Sequence, residues 1–273
     1  MKRSSRVQVA GAAWLGSMLG LLWTHGATAQ SDPGLQLAFG NPSGAVTSTS
    51  FPSNYLLSKG QFAISYHRNN GIPNWVSWHL GSADLGSIGR CDCFSPDTTL
   101  PAGWYRVTTN SYTGSGFDRG HMTASADRTA TSADNRATFL MTNVLPQAPD
   151  NNQGPWAQLE NYLRSLIGSG KELYIVSGGD ESLGTIDAGR VRVPGFTFKV
   201  ILVLNAGSSD LSRVTTSTRT IAVSMPNRQG IRNNEWRVYR TSVDQVEAWT
   251  GLNFFSNVAP SIQSVIEARV DNL

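Results

Sequence analysis

Phe196-Thr197-Phe198-Lys199-Val200-Ile201-Leu202-Val203-Leu204 is a nearly all-apolar run, the pattern of a strand buried in the middle of a sheet. Shorter runs of the same character flank it. Val191 begins the same stretch, Leu173 to Val176 precedes it, and Thr220 to Ser224 follows. Further upstream, Phe62 to Tyr66 and Trp75 to Leu80 bracket the turn signal Arg68-Asn69-Asn70-Gly71, so residues 62–80 are expected to form a hairpin. Phe139 to Val144 is one more expected strand, ended by Pro146. Helical spacing is confined to three places. Pro155 stands at a first-turn position before Trp156, Leu159, Leu163, Leu166 and Ile167, with Gly168 closing the helix. Asp244 to Thr250 and Ser261 to Val270 are the others, the last with Ile262, Val265 and Ile266 on one face. Strands interleaved with few, segregated helices predict an α+β domain rather than a parallel βαβ sheet. No repeat or linker interrupts the chain after residue 54, which gives a single domain over residues 30–273 behind an irregular lead-in at 31–54.

Residues 1–29 have the three parts of a secretory signal peptide. Lys2, Arg3 and Arg6 are the basic region, Ala10 to Trp23 the apolar region, and Ala27-Thr28-Ala29 the small-residue cleavage site. The apolar stretch is short for a membrane span. The expectation is export to the periplasm or the medium, with no membrane attachment after cleavage. The formal net charge of +3 belongs to this segment, and the remaining chain balances 19 basic against 19 acidic residues. Affinity for a polyanion must then come from local placement of Arg and Lys. Cys91 and Cys93 are the only cysteines, too few for a disulfide scaffold. They are either bonded to each other across Asp92 or free, and metal ligation is disfavoured because no Cys or His partner lies near in sequence.

The chain has no HExxH, no GxxxxGK[ST] and no GxSxG, which argues against a zincin, a P-loop enzyme and a serine hydrolase. After residue 29 it has three histidines. His67 and His79 sit in the expected hairpin, where strand alternation accounts for them. His121 lies in Gly116-Phe117-Asp118-Arg119-Gly120-His121-Met122, with an acid and an arginine within three residues and a glycine beside it that allows close backbone approach. Downstream come Thr142-Asn143, Asp150-Asn151-Asn152, and Glu160 and Arg164 on one face of the helix. By spacing alone, the last two make a surface i,i+4 ion pair.

Taken together, Asp118-Arg119-Gly120-His121-Met122, Ala126-Asp127-Arg128-Thr129, the TNVLPQ segment at 142–147, Asp150-Asn151-Asn152 and the Trp156-x-x-Leu159-Glu160 helix resemble the DNA/RNA non-specific endonuclease family. NPSGA at 41–45, NYLLSKGQFAISY at 54–66, the NWVSW segment, VPGFTFKV at 193–200 and TGLNFF at 250–255 look like landmarks of the same family, so the likeness spans most of the chain. It implies a ββα-metal nuclease core on a central, mainly antiparallel sheet with flanking helices. It also implies an enzyme that hydrolyses phosphodiester bonds of DNA and RNA with little sequence or sugar specificity. Carried over residue by residue, His121 is the general base, Asn152 the magnesium ligand, and Glu160 a carboxylate holding metal-bound water. Arg90, Arg119 and Arg164 match arginines near the scissile phosphate, with Asp118 and Asn143 in support. Mg²⁺ is the implied cofactor, with Mn²⁺ able to replace it. DNA and RNA are the implied substrates, and an inhibitor protein is a further partner of interest. The positions after Arg90 read Cys91-Asp92-Cys93-Phe94, where the family pattern has polar residues without thiols. A non-catalytic nucleic-acid-binding module on the same fold is the competing reading, and it predicts loss of His121 or Asn152. Both are present.

Overall fold

The computed structural model describes Met1 and residues 33–273; the expected signal peptide, apart from Met1, lies outside the described residues. Eleven strands follow in chain order. They are β1 Tyr55–Ser58, β2 Ala63–His67, β3 Ile72–Leu80, β4 Asp118–His121, β5 Val144–Gln147, β6 Lys171–Asp180, β7 Gly184–Ile186, β8 Val191–Val193, β9 Phe196–Asn205, β10 Arg219–Pro226 and β11 Arg240–Thr241. The helices are α1 Pro33–Gln36, α2 Ser132–Thr138, α3 Pro149–Asn151, α4 Ala157–Gly168, α5 Asp210–Arg213, α6 Val243–Thr250 and α7 Pro260–Glu267. No helix of the described residues is long and apolar enough to cross a membrane.

Seven strands form one sheet in the order β1-β2-β3-β6-β9-β10-β11, antiparallel throughout. Its two faces carry separate cores. Val200, Leu202 and Leu204 of β9 join Trp75, Tyr174, Val176 and Phe254 on one face, which α6 and α7 cover through Val243, Val246 and Ile266. Ile201 and Val203 join Trp78, Ile175, Trp156, Leu159 and Leu163 on the other, beneath α4. A strand covered on both faces has no solvent side to alternate towards, which is why residues 196–204 read as continuous.

The 62–80 hairpin is present, with Tyr66 pairing Pro73 and His67 pairing Ile72 across the turn. Four expectations need correction. Phe139 to Val144 is not a strand: Phe139 caps α2, Met141–Asn143 form a 3-10 turn, and the strand begins at Val144. A short apolar run is equally compatible with a buried turn, and here each side chain of Met141–Asn143 is buried without extended backbone. Pro146 lies inside β5 rather than ending it, tolerated because β4–β5 is a two-stranded ribbon with free outer edges. Val265 is exposed while Ile266 is fully buried, so α7 turns a narrower apolar face inward than expected. The stretch from Val191 to Leu204 is also two strands, separated at Pro194-Gly195.

The connection from β3 to β6 matters most for function. Residues 81–170 leave the sheet and return to the strand adjacent to β3, forming on the way the β4–β5 ribbon and the helical run that ends in α4. This is a ββα unit, and it contains every one of the eight candidate site residues.

Candidate active site

β4 is the segment Asp118–His121, and it pairs antiparallel with Val144–Gln147 so that His121 faces Val144. Gly120 has a steric reason. A Cβ there would lie 2.2 Å from Gln147 Oε1 and 2.6 Å from Gln147 Cβ. The chain leaving β4 is clamped by Asn143, whose Oδ1 accepts from the Thr123 N–H (3.0 Å) while its Nδ2 donates to the carbonyls of Thr123 (2.9 Å) and Thr138 (2.8 Å). Its amide is saturated and buried, so Asn143 fixes the backbone beyond His121 rather than meeting a ligand.

The His121 imidazole is 9% exposed and has no hydrogen-bond partner among the described residues; Nε2 is buried and unpartnered there. Phe94 and Phe139 flank the ring, at centroid distances of 5.1 and 4.7 Å. Burial, then the positive charges of Arg90 and Arg119, push its pKa down to about 3, with Asp92 acting in the opposite direction. The ring is therefore neutral at ordinary pH, with a free nitrogen lone pair. That is what a base requires.

A polar cavity of about 370 Å³ is lined by Arg90, Phe94, Tyr112, Asp118, Arg119 and Asn152 among others; His121 is not itself among the lining residues, but Phe94, which packs on its ring, is. Arg119 stacks over Phe94 at 4.3 Å and has no ion-pair partner among the described residues. Arg90 stacks over Phe139 at 4.9 Å and pairs with Asp92 at 2.6 Å. Cys91 and Cys93 are bonded to each other, closing a small loop about Asp92 that stands between Arg90 and Phe94. The departure from the family pattern at these positions therefore still delivers both residues to the cavity.

Asn152 begins a π-helical turn, Asn152–Trp156, which kinks at Gly154 before α4 starts. Gly154 is required there, since a Cβ would come within 2.5 Å of the Arg232 carbonyl. The Asn152 Nδ2 donates to Asp118 Oδ2 at 2.8 Å, and Gln153 Nε2 donates to the same oxygen at 2.7 Å. With Nδ2 committed, Asn152 Oδ1 has no hydrogen-bond partner among the described residues, and Asn152 lines the cavity. A neutral amide oxygen in a roomy polar cavity, with a carboxylate alongside, fits a hard divalent cation that keeps most of its water.

Glu160 and Arg164 form a second group and are not among the residues lining the cavity. The expected i,i+4 pair between them is absent. Glu160 Oε1 lies 3.4 Å from Lys199 Nζ of β9, and Arg164 donates to Asp127 Oδ1 at 2.8 Å and to Asn161 Oδ1 at 2.7 Å. Partners presented by the sheet and by the turn at Ser125–Asp127 outcompete a weak intrahelical pair. Burial pushes the Glu160 carboxyl up and the Lys199 ammonium down, and the charge of each works against the shift of the other. His67 accepts from the Asn70 N–H in the hairpin turn and His79 lies 3.5 Å from Glu172; neither lines the cavity. Reading the residues did not single out Phe94, Phe139, Asp127 or Lys199. Asp127 had a signal, since it stands in the Ala126–Thr129 landmark.

Residues 40–261 match the family model of the DNA/RNA non-specific endonucleases. The chain belongs to that family. A nuclease of Nostoc sp. (strain PCC 7120 / SAG 25.82 / UTEX 2576) is 53% identical over 238 residues, covering 87% of this chain and 86% of that protein. Mitochondrial endonuclease G of Homo sapiens is 30% identical over 218 residues, covering 74% of this chain and 70% of that one. A chain in the crystal structure of the EndoG/EndoGI complex superposes with a TM-score of 0.71 at 25% identity, covering 85% of this chain and 95% of the other. This endonuclease thus has the ββα-metal fold on an antiparallel sheet, hydrolyses nucleic acid, and belongs to a metal-dependent class.

Proposed function

We propose that this endonuclease is exported, depends on Mg²⁺ with Mn²⁺ as a substitute, and cuts DNA and RNA alike at internal positions to leave 5′-phosphate ends. The observation that carries the reading is the His121 imidazole: neutral, unpartnered among the described residues, and under the positive charges of Arg90 and Arg119, which line the same cavity as Asn152. The neutral ring takes a proton from a water that attacks phosphorus. General-base assistance of this kind contributes roughly 10²–10⁴-fold. Arg119, with no internal ion-pair partner, and Arg90 pair with the phosphate oxygens as charge accumulates on them. A phosphate there also offsets the positive charge that depresses His121, so the bound substrate makes the ring a stronger base. Asn152 would hold the metal through Oδ1, with Glu160 holding one of its waters. When bound, the cation supplies positive charge for the phosphate and the leaving 3′-oxygen. Arg164, committed to Asp127 and Asn161, contributes through long-range charge. Asp118 orients the Asn152 amide.

The proposed contacts go to phosphate, and phosphate contacts position a nucleic acid without reading its bases. The nucleophile is water, so the 2′-hydroxyl is not needed, which supports action on both sugars. Export follows from residues 1–29, and an inhibitor protein is a partner by analogy with the EndoG/EndoGI complex. The test is to digest plasmid DNA and single-stranded RNA with and without EDTA and to analyse the ends. Both should be cut only with metal and carry 5′-phosphates. RNA products ending in 2′,3′-cyclic phosphate, with DNA intact, would make the 2′-hydroxyl the nucleophile and refute the mechanism.

A further inference from the structure

Lys199 is the only charged residue between Phe196 and Leu204, and its side chain is fully buried. It shares the face of β9 that carries Ile201 and Val203, under α4. Its Nζ lies 4.2 Å from the centroid of the Trp156 ring, 5.4 Å from that of Trp78, and 3.4 Å from Glu160 Oε1, its one hydrogen-bond acceptor. With no exposure, this ammonium cannot touch a nucleic-acid phosphate. Nor does stability explain it, since replacing a buried ion pair by apolar side chains of similar volume is often neutral or stabilising.

The surroundings of Glu160 narrow the role. Asp127 and Arg164 are the other charges felt by this carboxylate. Arg164 is turned to Asp127 and Asn161, and Asp127 also accepts from the Trp78 Nε1 at 3.2 Å. Lys199 is therefore the one cation bonded to Glu160. It engages Oε1 only, and Oε2 has no hydrogen-bond partner among the described residues. Trp78 and Trp156 flank the ammonium, and Asp127, whose charge also acts on Lys199, is already engaged by Arg164 and Trp78.

We propose that Lys199 is a positioning residue for the reaction: it anchors Glu160 through Oε1 and leaves Oε2 as the oxygen that accepts from a metal-bound water. This rests on the reading of Glu160 given above. Partners of this outer kind typically contribute about 10–100-fold in metal affinity. The experiment compares wild type, Lys199→Met, Glu160→Ala and the double variant by direct Mn²⁺ binding, followed by electron paramagnetic resonance, and by the Mg²⁺ midpoint of DNA cleavage. Melting curves confirm folding, and Lys199→Gln, which keeps an N–H donor in the slot, stands in if Lys199→Met does not fold.

Each single variant should weaken metal binding at least tenfold, and the double variant should be no weaker than Glu160→Ala. Wild-type metal affinity in the Lys199 variant, or a further tenfold loss in the double variant, would overturn the proposal alone. Unchanged affinity in Glu160→Ala would overturn the reading of Glu160 and the proposal with it.

Discussion

Removing His121 should change how the stability of this protein depends on pH, and the size of the change follows from the burial of the ring. The imidazole titrates at about 3 in the folded chain, against an ordinary value of 6.5. Between those values the unfolded chain binds a proton that the folded chain refuses. Stability contributed by the neutral ring is therefore fully present above 6.5 and is lost as pH falls. Each pH unit inside the window is worth about 1.4 kcal/mol. From about pH 7 to about pH 5 the loss is about 2 kcal/mol. The wild-type curve alone would conceal it. Glu267 on α7 is buried beside Glu247 and Asp244, and burial pushes its carboxyl up from 4.5 to about 8, so it becomes more stabilising over the same fall in pH. The two slopes nearly cancel. The assay is thus the difference in urea-unfolding free energy between wild type and His121→Ala, measured in EDTA across that range. Glu267 drops out of the difference, and the advantage of wild type should shrink by about 2 kcal/mol on acidification. A difference that stays constant to within about 0.5 kcal/mol would refute both the neutral buried imidazole and the electrostatic account of it.

Other perturbations probe the site more directly. His121→Ala should lower kcat by about 10²–10⁴-fold while oligonucleotide affinity in EDTA stays close to wild type; retention of more than about a tenth of wild-type kcat would exclude the base role. Asn152→Ala should raise the Mg²⁺ midpoint more than Glu160→Gln does, because it removes the oxygen proposed to ligate the metal; an unchanged midpoint would move the ligand elsewhere, with Asn151 the neighbour to examine. Gly120→Ala should destabilise by about 1–3 kcal/mol, since the new methyl meets Gln147 at both Oε1 and Cβ, and a thermal melt within a degree of wild type would show that the β4–β5 ribbon gives way easily.

The parts legible in the sequence were those whose signal is local. The apolar run of β9, the Arg68–Gly71 turn and the α4 spacing each report on neighbours a few residues away, and each is present. The Asp118–His121 motif was legible because an acid, an arginine, a glycine and a histidine stand side by side on one strand. What was not legible depends on distant partners. Phe94 and Phe139 make the apolar walls of the His121 site from two separate loops, and nothing in their own surroundings marks them. The segment at Phe139 misled for a related reason: its apolar residues are held by a turn that Asn143 closes locally onto Thr138 and ties across the ribbon to Thr123.

Glu160 and Arg164 make the clearest case. Their spacing on α4 predicts a mutual pair, and such a pair on an exposed helix is worth only about 0.3–0.5 kcal/mol. That is too little to decide anything once stronger partners arrive. The sheet beneath α4 presents Lys199, and the turn after His121 presents Asp127, both buried and each carrying the opposite charge to one of the two helix residues. A buried charge left alone is far more costly than a surface pair left unmade. Each buried group therefore takes a partner from the helix, and the two helix residues separate. The charge order that results, Lys199 on Glu160 and Asp127 on Arg164, ties α4 to β9 and to the segment that follows His121. The helix that follows Asn152 and the strand end that carries His121 are thereby held to one another through the core. A local rule for surface helices failed here because this face of α4 looks onto the buried charges of Lys199 and Asp127 and not onto solvent.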